Sequence, residues 1–441
     1  MIASKLCIDA RSIGITPQQL SLGARFVIDT LQQHGHLAYV VGGSVRDILA
    51  GFTPKDFDVA TNAHPEAIKA IFKQRCQLIG KRFRLAHVRF QREVIEVSTF
   101  RASPTEDQST TTISQLGLVT RDNTFGNLEE DALRRDFTAN ALYYDPQSQQ
   151  VIDFFDGILD VQRRKLRIIG DPAVRYQQDP VRLLRAVRLA CKLGFKWVDG
   201  EHAAIAQLAP LLAHIPAPRL FDEWMKLFLS GYAETTLIAL QAYQLLSYLL
   251  PMTAAHWQQA THHALIVKAV QDTDSRLNIG KSVTPAFLLA AFLWHPFQQQ
   301  LALSEPSVAF NLKIQQAADR LLAQQLAVLT IPKRFTLPMR EIWDMQYRLE
   351  HRHGQRAFRL LAHPRFRAAY DFLLLREFSQ EIPAGLGQWW TTFQGSTQEE
   401  QQILVSALSK STQPTKKKRR RSSPKRSVHP AQSQLERDDA Q

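Results

Sequence analysis

The stretch that most constrains this chain runs from Ala38 to Thr61, AYVVGGSVRDILAGFTPKDFDVAT. Ala38–Val41 is an unbroken apolar run that ends at glycine, which predicts a short buried strand. Gly42 and Gly43 form a turn, and Ser44 to Asp47 lead into a helical turn at Ile48 and Leu49. Lys55-Asp56-Phe57-Asp58-Val59 then predicts a second strand. Side chains two residues apart on a strand share a face. Asp56 and Asp58 are therefore expected to project together, with Phe57 and Val59 in the core. Two adjacent carboxylates repel unless a cation lies between them, and Mg²⁺ commonly takes one or two carboxylates together with substrate phosphates. The glycines allow backbone to approach a phosphate, free N–H groups of the helix start behind them, and Arg46 adds a charge-assisted donor. In this order and at this spacing, the elements point to phosphoryl or nucleotidyl transfer.

The surrounding sequence extends this unit into a small mixed sheet with helices against it. Residues 1–15 are expected to be poorly ordered. Thr16-Pro17 opens an amphipathic helix through Leu22, Phe26, Val27 and Leu31, ending at Gly35. A further helix spans Glu66 to Phe72. Strands are expected at 85–90 and 93–100 around a turn at Gln91-Arg92. On the second of these, Val94, Glu96 and Ser98 share one face, so Glu96 is a candidate third metal-site carboxylate. Residues 101–127 are polar with little periodicity and predict a mobile substrate-side flap. Leu128 to Arg134 reads as a helix and the run from Phe137 to Tyr144 as a strand, with Arg134, Arg135 and Asp136 at the junction.

Beyond residue 170 the pattern becomes helical. Asp179 is expected to cap a helix that has Pro180 in its first position. On it Arg182, Arg185 and Arg188 recur every three residues, a curved basic ramp with no nearby glutamate in sequence, suited to a triphosphate or an RNA backbone. Helical spacing continues over 203–211, 220–230, 234–248, 261–270, 284–295 and 311–329. Trp224, Trp257, Trp294 and Trp343 read as packing anchors. The basic segments Ile331–Phe335, leading to Arg340, and His351–Arg376 are candidate RNA contacts. His262-His263 has no carboxylate nearby to complete a metal set.

The chain has 441 residues, 45% of them apolar, enough for several domains with real cores. No run approaches a membrane span, and the N-terminus has no apolar signal-peptide core. Cys7, Cys76 and Cys191 show neither metal-ligand spacing nor a disulfide framework, which predicts a reduced, cytoplasmic setting. The net charge is +13, concentrated in a low-complexity run from Lys410 to Arg426. That tail, 410–441, is expected to be disordered and to bind phosphate backbones non-specifically.

Gly42–Asp47 followed by Asp56-Phe57-Asp58 resembles the head domain of the tRNA nucleotidyltransferase and poly(A) polymerase family. Arg134-Arg135-Asp136-Phe137-Thr138 with Asn140 resembles a second motif of that family. Gly80–Val88 and His351–Arg376 are similar to signatures of its bacterial poly(A) polymerase branch. The resemblance implies an α+β architecture: a nucleotidyltransferase head over 16–170, a helical neck over 171–230, and a helical body and RNA-binding tail domain over 231–395. It implies addition of AMP from ATP to RNA 3′ ends, with two Mg²⁺ ions held by Asp56, Asp58 and Glu96. It further implies that Gly43 and Arg46 cradle phosphates, that Arg135 contacts nucleotide and that Asp136 supports the acidic centre. Asp179 and Arg182 would read adenine, and Arg185 and Arg188 would hold the triphosphate. The sequence leaves open which of Glu96 and Asp136 is the third catalytic acid. Gln178 stands where relatives usually carry glutamate. RNA-decay proteins are implied partners. The alternatives are a CCA-adding enzyme and a catalytically inactive RNA-binding protein; the absence of any His-Asp dipeptide leaves no support for an added phosphohydrolase domain.

Overall fold

The computed structural model describes residues 5–411 except 81–83, 103–110, 114–118, 123 and 199. The strands are β1 (Leu6–Asp9), β2 (Ala38–Val41), β3 (Asp58–Thr61), β4 (Cys76–Ile79), β5 (Leu85–Phe90), β6 (Glu93–Thr99), β7 (Thr111–Ile113), β8 (Val119–Asp122), β9 (Leu142–Asp145) and β10 (Gln150–Asp153). Eight of them form one sheet in the order β1-β10-β9-β2-β3-β6-β5-β4, while β7 and β8 form a separate hairpin. Within that sheet only β3 and β6 run parallel. This pairing sets the central register: Val41 lies opposite Asp58, and Asp58 lies opposite Glu96.

Helices α1 (Leu22–Gln33), α2 (Gly43–Leu49), α3 (Pro65–Phe72), α4 (Leu128–Arg134) and α5 (Gly157–Gln162) accompany the sheet. On β6 the alternation is as expected: Ile95, Val97 and Thr99 are buried, while Val94, Glu96 and Ser98 face outward.

Several boundaries differ from expectation. The N-terminus is ordered from Leu6, because β1 pairs with the open edge at β10 and Ala10 and Ile15 are completely buried. Such long-range pairing leaves no local signature. Thr16-Pro17 opens only a 3₁₀ turn. The helix itself starts at Leu22, where the Ser21 hydroxyl accepts from the Ala24 N–H at 3.0 Å. Asp56 precedes β3 rather than lying on it. Phe137 makes an isolated bridge to Ile168, and a 3₁₀ turn at Thr138–Asn140 delays the strand to Leu142. Most of the expected flap over 101–127 lies outside the described residues, as do Lys81–Phe83 of the basic stretch and the tail beyond Ser411.

The C-terminal half is helical: α6 (Pro172–Gln178), α7 (Val181–Leu193), α8 (Glu201–Leu208), α9 (Ala217–Phe228), α10 (Ala233–Ala242), α11 (Leu246–Leu249), α12 (Pro251–Ala255), α13 (Ala260–Asn278), α14 (Pro285–Ala302), α15 (Phe310–Val328), α16 (Lys333–Glu350), α17 (Gln355–Leu361), α18 (Phe366–Phe378), α19 (Leu386–Gly395) and α20 (Gln398–Ser411). The expected 234–248 helix is broken at Gln244, which adopts a left-handed φ of 57°. One apolar core runs from Ala10 through the head and helices to Leu375. A second joins Met345 to Val405, so helical structure continues past residue 395. Trp224, Trp294 and Trp343 are buried in the first core, and Trp257 packs against it, as packing anchors should. Arg340, a candidate RNA contact, pairs with Asp319 at 2.6 Å.

Candidate active site

The head and α7 enclose an open cleft of about 690 Å³. It is lined by Gly43, Arg46, Asp56, Asp58, Arg135, Asp136, Asp179, Arg182, Arg185 and Arg188. Of the residues given catalytic or nucleotide-binding roles in the sequence analysis, Glu96 alone is not on that lining. Ten basic side chains face six acidic ones there, a surplus suited to a polyanion.

The acidic floor follows from the β2–β3–β6 register. Phe57 and Val59 turn into the core, leaving Asp56 and Asp58 open to the cleft. The edge of Asp58 is accessible, but protein rings its carboxylate. Burial, with added repulsion from Glu96 and Asp56 and partial relief from Arg135, pushes its pKa up to about 6. A carboxylate held in this state invites a cation. Glu96 sits one strand over, with His87 Nε2 at 3.6 Å. Among the described residues no three His, Cys, Asp or Glu side chains converge as a ready-made metal cage. The donor set fits a hard divalent cation that takes one or two carboxylates and completes its shell with water and phosphate oxygens.

Asp136 occupies a different place. Its Oδ2 accepts from Arg185 Nε and Nη2 at 2.7 and 2.5 Å, and its Oδ1 from Asn140 Nδ2 and the Phe137 N–H, both at 2.9 Å. Burial alone would raise its pKa, but the Arg185 guanidinium and these donors hold it well below the ordinary range. It is a structural anion between head and neck, with its lone pairs committed. The geometry therefore separates the two candidate acids, with Glu96 beside Asp58 and Asp136 locked to Arg185.

Two further polar systems frame the cleft. Arg46 is buried; its Nε and Nη2 donate to Asp47 Oδ1 at 2.9 and 2.5 Å, and its Nη1 to Asn140 Oδ1 at 2.5 Å. Lys192 on α7 reaches Asp47 Oδ2 at 3.0 Å. Arg46 is thus largely spent inside the protein, which narrows the expected part it plays toward phosphate. Gly42, at φ 77°, requires glycine, since a side chain there would be strained and would abut Arg135 Nη1 at 3.5 Å. Arg135 donates to Asp131 and to the Tyr143 hydroxyl, which in turn donates to Asp131 Oδ2 at 2.7 Å. Despite burial, these partners hold the guanidinium above its ordinary pKa.

The expected uncompensated arginine ramp is instead compensated through space. Arg185 pairs with Asp136, Arg188 lies 3.6 Å from Glu223 on α9, and Arg182 donates to the carbonyls of Arg175 and Arg134. Burial lowers the pKa of both Arg182 and Arg188. Asp179 Oδ2 accepts from Arg219 Nη2 at 2.7 Å, and Val181, not Pro180, opens α7. Gln178 lies off the cleft, where its Oε1 accepts from Arg175 Nη1 at 3.2 Å. Arg175 clamps the carbonyls of Arg134 and Arg135 and, with no glutamate beside it, has its pKa pushed down to about 10 by burial. Asp47, Asn140, Lys192, Arg219 and Glu223 escaped the sequence reading. Asn140 stood in a recognised motif, whereas Arg219 and Glu223 carry no local signal.

Three family descriptions match parts of the chain. Residues 38–167 match the poly A polymerase head domain, 202–256 a probable RNA- and SrmB-binding site of polymerase A, and 308–426 the polymerase A arginine-rich C-terminus. The poly(A) polymerase I of Haemophilus influenzae is 41% identical over 412 residues, covering 91% of this chain and 90% of that one. The chain belongs to the bacterial poly(A) polymerase family, within the class II nucleotidyltransferases. A CCA-adding enzyme of Bacillus licheniformis matches this polymerase-family chain less completely, at 38% identity over 211 residues, 48% of this chain and 51% of that one. Among solved structures, the Bacillus stearothermophilus CCA-adding enzyme in complex with CTP superposes with a TM-score of 0.58 at 26% identity, covering 89% and 84% of the two chains.

Proposed function

We propose that this chain is a template-independent poly(A) polymerase that transfers AMP from ATP to RNA 3′ ends with release of pyrophosphate. The observation that supports this most directly is a relative named poly(A) polymerase I that aligns over nine-tenths of both chains, together with an acidic pair on the floor of a strongly basic cleft. In this reading Asp56 and Asp58 hold two Mg²⁺ ions, with Glu96 flanking them. When bound there, the ions lower the pKa of the attacking 3′-hydroxyl and neutralise the triphosphate during in-line displacement. The surplus of arginine and lysine around them draws in the triphosphate and orients it. Asp179, held by Arg219, and Arg182, held by two carbonyls, present a preset acceptor and donor to the adenine edge. Arg185 and Arg188 face the phosphates while Asp136 and Glu223 fix their side chains.

The match to CCA-adding enzymes over about half the chain makes that activity the competing reading. Among the described residues no helix is long and apolar enough to cross a membrane. We read the chain as a cytoplasmic RNA-acting enzyme working beside RNA-decay proteins. The test is primer extension with Mg²⁺. A long ladder with ATP on unstructured RNA is expected; extension limited to C, C and A on a truncated tRNA would transfer the assignment to the CCA-adding class. Asp56→Asn with Asp58→Asn is expected to abolish extension, and retained activity would remove the metal-site assignment.

A further inference from the structure

Outside the active-site cleft, five of the seven arginines of the segment 348–376 are engaged. Arg348 pairs with Asp344 at 3.2 Å, Arg365 with Glu341 at 2.7 Å, Arg367 with Asp371 at 3.1 Å and Arg376 with Glu381 at 2.9 Å. Arg352 lies over the Trp389 ring, 5.1 Å from its centroid. Arg356 and Arg359 differ: both are exposed on α17, and among the described residues neither side chain has an ion-pair or hydrogen-bond partner. Both line the same cavity of about 450 Å³, set between the start of α15, the end of α16 and α17. The one acid on that lining, Asp344, is already paired with Arg348.

The cavity also has an aromatic wall. Phe310 is 50% exposed and stands edge-to-face with Tyr347 at 5.1 Å between centroids. Tyr347 is in turn backed by Trp294 at 6.1 Å. Ile314 and Leu360 form the buried floor. No side chain caps the first turn of α15 where Phe310 begins it. A half-exposed aromatic ring offers a face for stacking, and two unpaired guanidinium groups on one helix offer donors to phosphate. One ligand answers both: a planar base flanked by phosphates.

We infer that this cavity is an auxiliary RNA site, in which an unpaired base of the RNA stacks on Phe310 beside Tyr347 while Arg356 and Arg359 hold the neighbouring phosphates. The site deepens the polymerase reading, since it would retain an RNA strand between successive additions, and its chemistry is that of single-stranded RNA and not of the nucleotide triphosphate.

The test uses the full chain without ATP, so its outcome does not depend on adenylyl transfer. A fluorescein-labelled oligoadenylate is titrated by anisotropy at several salt concentrations against the parent, Phe310→Ser and the Arg356→Gln, Arg359→Gln pair. Phe310→Ser is expected to weaken binding about 5- to 100-fold at fixed salt, the range set by loss of one stacked base. The arginine pair is expected to lower the salt slope by about 1.4, at roughly 0.7 per phosphate on a single strand. A 4-thiouridine placed in the oligonucleotide should crosslink the unaltered chain at Phe310 or Tyr347, a readout that needs no variant to fold. Weakening by the arginine pair with none from Phe310→Ser would mean diffuse attraction and overturn the site. So would crosslinks confined elsewhere, or their displacement by equimolar AMP, which would reassign the cavity to a free nucleotide. An active polymerase with unchanged RNA affinity in both variants would overturn this site alone and leave the activity standing.

Discussion

Asp58 concentrates the conflict on which the cleft is built. Its folded-state pKa, raised from 3.8 to about 6, means that the fold binds this proton more tightly than the unfolded chain does. The contribution of that group to stability is therefore complete below about pH 4 and is lost as the pH rises through about 6. Asp58→Asn should remove this loss, so that its urea midpoint exceeds the parent's at pH 7 without divalent cation and matches it at pH 4. Added Mg²⁺ at pH 7 should raise the melting temperature of the parent and leave that of the variant unchanged. Gln178 supports a second expectation. Glutamate there would supply the carboxylate that Arg175 lacks, and Gln178→Glu should stabilise the fold by about 1 kcal/mol in urea denaturation. Because Gln178 lies off the cleft lining, the KM for ATP should change less than about 2-fold, within the error of a steady-state assay.

The contact of α7 with the head is a chain of ion pairs and hydrogen bonds, from Lys192 through Asp47, Arg46, the neutral amide of Asn140 and Asp136 to Arg185. A helix tethered in this way transmits its position to the phosphate-facing groups, because Arg185 and Arg188 share its backbone. Asp136→Ala leaves the Arg185 guanidinium without its anion and should cost about 3 kcal/mol. Since the native carboxylate has a depressed pKa, its contribution is present above the ordinary carboxylate range and lost as pH falls below it; the variant should lack that acid transition. Lys192→Met removes a partly exposed strut and should cost about 2 kcal/mol, with a higher KM for ATP and little change in affinity for RNA. Parallel urea titrations and initial-rate measurements separate the two effects.

Across the whole chain, charge is divided by task. The cleft holds a dense surplus of positive groups, most of them paired, while the segment beyond Ser411 carries a run from Lys416 to Arg421 followed by Lys425 and Arg426. Removing residues 412–441 should lower the affinity for RNA at low salt and flatten its salt dependence. The KM for ATP and the pH dependence of Mg²⁺ stabilisation should stay as they are. A truncation that impaired ATP binding equally would show that the tail reaches the cleft.

Much of this was legible in the amino-acid sequence because it is local. The spacing of Asp56 and Asp58 around buried Phe57 left both open to the cleft although Asp56 lies just before β3, the alternation of β6 brought Glu96 to the outer face, and glycine at position 42 met a backbone that only glycine accepts without strain. The tryptophans announced themselves as packing anchors by size and apolarity. What the sequence could not carry is pairing at a distance. The ordering of Leu6–Asp9 depends on an edge contributed by residues 150–153, and the neutralisation of the arginine ramp depends on Asp136 behind it and Glu223 ahead of it. Local patterns report which way a side chain points, because backbone geometry repeats over a few residues. Which charge meets which across the cleft is set only when helix and sheet pack, since ion pairs are formed by distance in space and leave no period along the chain.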